Sequence, residues 1–166
     1  MQHLGDEQGR ELPAILALEH LLVEGATIRL FLESLAVYSG AGRLAVTALG
    51  LDPVHEAVEW VDEIRCSDDR GRDLPRWRAE TAGVGHVSRT SLWFELGPGH
   101  EALLIDVPVT PSSADDALKV TPCRVPGGAL ASARARVRPL GTGTGAASTR
   151  SPRSSTIQVG TTRSTP

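Results

Sequence analysis

A period-two pattern folded about a glycine-rich turn is the tightest constraint on this chain. From Thr27 to Leu32, Ile28, Leu30 and Leu32 fall on one side and Thr27, Arg29 and Phe31 on the other. Side chains of a strand point alternately to its two faces, so the pattern is that of a strand with one face buried. It continues through Leu35, Val37 and Tyr38, with a slip of parity near Glu33–Ser34 that a β-bulge would produce. Ser39-Gly40-Ala41-Gly42 supplies turn chemistry, and Leu44, Val46 and Ala48 then alternate again. Two alternating runs about such a turn predict a hairpin.

Shorter runs follow. Val58 to Cys66 reads as a strand with Val58, Trp60, Ile64 and Cys66 on one face, interrupted by Asp62. Ser67 to Arg72 reads as a polar turn and residues 73–88 as an irregular connection. Ser91 to Leu96 puts Leu92, Phe94 and Leu96 on one side and Trp93 on the other. After the turn Gly97-Pro98-Gly99-His100, Leu103, Ile105 and Val107 are in phase, and Pro108 marks the end of that strand or an edge position. The opening run, Pro13 to Glu24, admits a helix starting at Pro13 or a strand covered on both faces. The β-rich sequel favours the strand. Five or six strands in roughly 100 residues predict an all-β fold, a small antiparallel β-sandwich spanning residues 12–110.

The remaining residues, 111–166, read as a disordered, basic, low-complexity tail. All 20 Asp and Glu residues lie between Asp6 and Asp116, where they face 9 arginines, for a net charge of −11. Residues 117–166 carry the other 8 of the 17 Lys and Arg residues and no acid, for +8. Half of those 50 residues are Ser, Thr, Gly or Pro, and none is aromatic. A segment of that composition buries too little apolar area to offset its ordering entropy. Ala129 to Arg138 could still form a short basic helix between Gly128 and Pro139.

The segments 25–51, 59–72 and 91–109 together resemble a group of small actinobacterial proteins with an immunoglobulin-like sandwich and no assigned activity. The resemblance rests on a hairpin, a strand ending in an Asp-Arg-Gly turn, and an aromatic strand joined through a Gly-Pro turn to a last apolar strand. It implies an immunoglobulin-like β-sandwich over about residues 12–109 and no chemistry.

Motifs that could carry chemistry are sparse. Gly40-Ala41-Gly42-Arg43-Leu44-Ala45 fits the G-x-G-x-x-A dinucleotide fingerprint, with Asp62 or Glu63 as the ribose ligand. That reading needs a helix over residues 43–50, which Gly50 and Pro53 would cut short. A hairpin turn using the positive φ open to glycine explains the same residues more simply. His55, Glu56 and Glu59 lack a partner motif for a metal, and the Ser67–Arg72 turn lacks the spacing of a calcium loop. Ser88 and Ser91 have no nucleophile elbow around them. Cys66 and Cys123 read as two reduced thiols, with a labile disulfide as the alternative.

No catalytic residue, metal or cofactor is therefore assigned. The sequence-level reading is a non-enzymatic interaction or assembly module. Trp93, Phe94 and Trp60 are its candidate interaction face, because alternation must aim Trp93 and Phe94 to opposite sides. Its partner would be another protein or a second copy. The rival readings are a nucleotide-binding α/β enzyme built on Gly40-Ala41-Gly42, and a nucleic-acid-associated protein contacting phosphates through Arg124, Arg134, Arg136, Arg138, Arg150, Arg153 and Arg163. The N-terminal run is preceded by acids and interrupted by Glu19 and His20, a poor match to a signal peptide or a membrane span, so a cytoplasmic protein is the expectation.

Overall fold

The structure, a computed structural model, describes residues 9–50, 55–108 and 118–141. Its strands are β1 (Glu11–Leu12), β2 (Ala14–Glu24), β3 (Ile28–Val37), β4 (Ala41–Gly50), β5 (Arg65–Asp68), β6 (Arg76–Val84), β7 (Val87–Glu95), β8 (Leu103–Asp106), β9 (Lys119–Val120), β10 (Cys123–Val125) and β11 (Arg138–Pro139). Among the described residues two helices join them, α1 (His55–Glu63) and α2 (Gly127–Arg136). The fold is all-β, and every strand pairing in it is antiparallel.

Six strands form one sheet in the order β6-β7-β4-β3-β2-β9, and three form a second, β10-β8-β5. β1 and β11 make a small separate ribbon. The inner face of the large sheet carries Leu30, Leu32, Leu35, Leu44, Val46, Leu92 and Phe94, all buried. Leu103, Ile105, Cys123 and Val125 from the small sheet join them in a single core with Trp60 of α1, Ile64 just after it, and Leu130 and Ala133 of α2. Both sheets are half-apolar ribbons, and each buries its apolar face against the other.

The predicted hairpin is present as β3 and β4, closed by Tyr38 N–H donating to Ala41 O (2.9 Å). Its predicted bulge lies between Leu32 and Ser34 and turns Glu33 outward. Residues 14–24 are a strand, kinked where Glu19 takes a left-handed φ of 46° and the register with β3 shifts.

Gly42 is required by space and not by a turn conformation. Its φ is negative, and a Cβ there would meet Phe94 Cζ at 2.6 Å. The residues after it, Arg43 to Gly50, are strand and not the helix that the dinucleotide fingerprint needs.

Three segments depart from the sequence reading. Val58 to Cys66 is the end of α1 followed by β5. Trp60, Val61 and Ile64 form the buried face at helical spacing, and the Asp62 that interrupted a strand pattern is simply on the exposed side. Residues 76–84, expected to be irregular, are a strand paired with β7 through the two-residue turn Gly85–His86, where Gly85 has φ 62°. As a solvent-exposed edge, β6 shows no apolar alternation to read.

The third departure is the largest. The tail expected from residue 111 does not begin there, because residues 118–141 complete the domain. β9 extends the large sheet beside β2, β10 extends the small sheet beside β8, and α2 buries Leu130 and Ala133 in the core. Averaging composition over 50 residues hid four buried positions, Cys123, Val125, Leu130 and Ala133, spaced along a three-residue strand and one short helix. Residues 109–117 and 142–166 lie outside the described residues.

Candidate functional site

Strand register decides which side chains share the outer face of the large sheet. One row crosses five strands: Ile15 on β2, Ala36 on β3, Arg43 on β4, Trp93 on β7 and Arg78 on β6. The next row is Ala17, Ser34, Ala45, Ser91 and Glu80, and the one beyond is Leu21, Phe31, Thr47, Arg89 and Ala82. A row of small residues between two rows of large ones makes a trough. At its β4–β7–β6 end it is a shallow groove of about 350 Å³ bordered by Glu33, Ala45, Glu80, Arg89 and Ser91. Glu33 is placed there by the bulge, where it accepts a hydrogen bond from Thr47 Oγ1 and lies 3.9 Å from Arg89 Nε.

Trp93 anchors the rim. Its ring centroid lies 5.4 Å from Tyr38 and 5.5 Å from Trp77, tilted by 35° and 40°. The Arg43 guanidinium sits 5.3 Å from the Trp93 ring, within cation–π range. Tyr38 is buried, Trp93 and Trp77 are half-buried, and Ile15 at the end of the same row is 52% exposed. Neither indole N–H has a hydrogen-bond partner among the described residues.

Of the three residues singled out from sequence, only Trp93 belongs to this face. Phe94 points into the core and is 1% exposed, and Trp60 is buried on α1. The sequence reading missed Trp77 because its segment looked irregular. A bulge between Arg76 and Arg78 lets Trp77 lean onto Trp93. Tyr38 and Arg43 were passed over because both were assigned to a turn or its flank.

Elsewhere, groups that could do chemistry are already engaged. Asp68 at the end of β5 has a buried carboxylate that accepts hydrogen bonds from Arg70 N and Arg72 N (2.9 Å each) and from Arg72 Nε (2.8 Å). The Arg72 backbone N–H above all, then its guanidinium and the Arg70 N–H, outweigh desolvation and hold the Asp68 pKa below the ordinary carboxylate range. A depressed native pKa stabilises the fold above the unfolded value, and the contribution disappears as pH falls through the native one. Urea midpoints measured at about pH 6 and about pH 3 should therefore fall further for the wild type than for Asp68→Asn. Equal falls would show that this loop adds nothing to acid sensitivity.

Cys66 faces a cleft of about 210 Å³ together with Asp73, Leu74 and Arg76. Burial pushes its thiol up to about 12 despite the lowering effect of Arg76, so it stays protonated and is a poor nucleophile. Cys66 and Cys123 both oppose Ile105, one on each side, which separates them by two strand spacings, about 10 Å. That is too far for a disulfide, and both cysteines are free.

Arg134, one of the arginines considered for phosphate contact, is used internally. Its guanidinium donates to His100 O and Gly97 O (2.7 Å each) and ties α2 to the loop before β8. Arg150, Arg153 and Arg163 lie outside the described residues. Among the described residues no cluster of three His, Cys, Asp or Glu side chains could hold a metal, and no helix is long and apolar enough to cross a membrane.

The fold and this face define an all-β chain with one open, aromatic-rimmed sheet surface. No family model, curated protein or solved structure matches the chain.

Proposed function

We propose that this protein is a non-enzymatic β-sandwich module for protein interaction or assembly, working in the cytoplasm through the outer face of its six-stranded sheet. The single observation that carries this reading is the row from Ile15 to Trp93, an apolar and aromatic strip left partly open beside a trough of small residues. Half-buried aromatic and arginine side chains beside a groove are the material of interface anchors. The immunoglobulin-like resemblance belongs to the same reading and is supported by the packing of two antiparallel sheets about one core. The nucleotide-binding alternative loses its motive, since Gly42 abuts Phe94 and Arg43 to Gly50 is strand.

A photo-crosslinking residue at Ile15 tests the proposal in the native cell, with one at exposed Leu104 on the small sheet as control. The expected result is a discrete protein adduct at Ile15 only, lost when Trp93→Ala is added. Equal adducts from both positions, or a melting temperature raised by NAD or ATP, would sink the reading.

A further inference from the structure

We propose that a second copy of this chain pairs with the β6 edge, giving a two-fold dimer whose large sheet runs continuously through both copies. The inference rests on the interaction reading above and names its partner.

Among the described residues β6 is hydrogen-bonded on one side only, to β7, and eight of its nine residues are exposed. At the far edge of the same sheet, β2 is paired by the two-residue β9 at Val23 and Glu24 only, and the helix α2 packs beside it. Among the described residues β6 is thus a free edge with neither strand nor helix beside it, about 30 Å of backbone N–H and C=O groups. Free edges are templates for another strand, and proteins that avoid such pairing blunt them with proline, charged side chains or bulges. Residues 76–84 contain no proline, the bulge between Arg76 and Arg78 lies at one end and leaves Arg78 to Val84 in regular register, and the charges at the centre, Arg78 and Glu80, are of opposite sign and so can attract a second copy.

The order of those charges fixes a register. A two-fold axis perpendicular to the sheet keeps each face on its own side and places residue i opposite a residue of the same parity. Centred on Ala79, it sets Arg78 opposite Glu80 of the second copy, and Glu80 opposite Arg78, both on the outer face. Centred on Glu80 it would oppose two like charges. Centred on Thr81 it would oppose Arg78 to Val84 and Glu80 to Ala82. Only the Ala79 register is self-complementary. Within one chain Arg78 and Glu80 already pair with each other, each side chain 53% exposed. Pairing of two copies joins these into a ring of four alternating charges. It also brings the two Trp93 rows onto one side, so the outer faces of both copies form one surface.

Sedimentation velocity of the full chain over a concentration series at low salt tests this, using wild type, Arg78→Glu, Glu80→Arg and an equimolar mixture of the two variants. The wild type should dimerise. Each variant alone places like charges opposite one another twice and should dimerise about tenfold more weakly. The mixture should recover, because opposite charges meet again across the two-fold while neither chain regains its internal pair. A wild type that stays monomeric overturns the proposal, as does a mixture no tighter than its components. Association that ignores both charge changes yet is lost in Trp93→Ala also overturns β6 pairing, and it leaves the interaction reading standing.

Discussion

Replacing Phe94 with alanine lowers the unfolding free energy by about 3–5 kcal/mol. The ring is 1% exposed and lies over Gly42, so nothing on the facing strand can move in to fill the space. For a domain whose total stability is of the order of 5–15 kcal/mol, that loss leaves a marginal fold. The cost should be shared with Gly42. Gly42→Leu alone forces a Cβ to within 2.6 Å of the ring and destabilises by overpacking. In the Phe94→Ala background the same leucine occupies the vacated volume, so the double variant should be more stable than the sum of the two single effects allows. Urea denaturation of the four proteins measures this. A loss under about 1 kcal/mol for Phe94→Ala, or strict additivity, would mean that the two residues do not form one packing unit.

Leu130→Ala is expected to cost about 2–5 kcal/mol, and the whole chain should still unfold in one transition. Leu130 is fully buried among residues of the large sheet's core, although it stands in a stretch rich in Ala, Ser and Gly. In a solvated tail the same substitution would change nothing. Denaturation followed separately by tryptophan fluorescence and by circular dichroism distinguishes the cases. A midpoint unchanged from wild type would mean that α2 contributes nothing to the core.

These two residues mark how far the sequence could be read. Phe94 sits in a run whose alternation is unambiguous and shares the parity of Leu92 and Leu96, yet it was read as part of a candidate interaction face, because alternation alone does not say which of the two sides is buried. The β3–β4 hairpin and the bulge at Glu33 were legible from alternation of the same kind. β6 was not, since an edge strand with both faces wet carries no periodic signal. α1 was misread because Trp60, Val61 and Ile64 fit a helical face and Trp60 and Ile64 also fit a strand, and nine residues are too few to separate the two. Leu130 was invisible because β9, β10 and β11 are too short to alternate, and a helix dominated by Ala, Gly, Ser and Arg resembles a linker in composition.

At the candidate site, Trp93 could be found from parity alone. Its companions could not. Tyr38, Arg43 and Trp77 meet it through three different strand pairings, and cross-strand registry is absent from a linear pattern.

The closing role of residues 118–141 also governs the order in which the chain can become a domain. β9 adds to β2 through Val23 and Val120, and β11 meets β1 through Leu12 and Arg138, so a segment made later seals elements made about a hundred residues earlier. Loops of that span are entropically slow to close, and topologies dominated by such contacts fold on millisecond-to-second timescales. Until Leu130 arrives, the β2–β3 part of the apolar face lacks the helix that packs on it. The interval between synthesis of Val107 and of Leu140 is therefore when this protein is most vulnerable to aggregation and proteolysis.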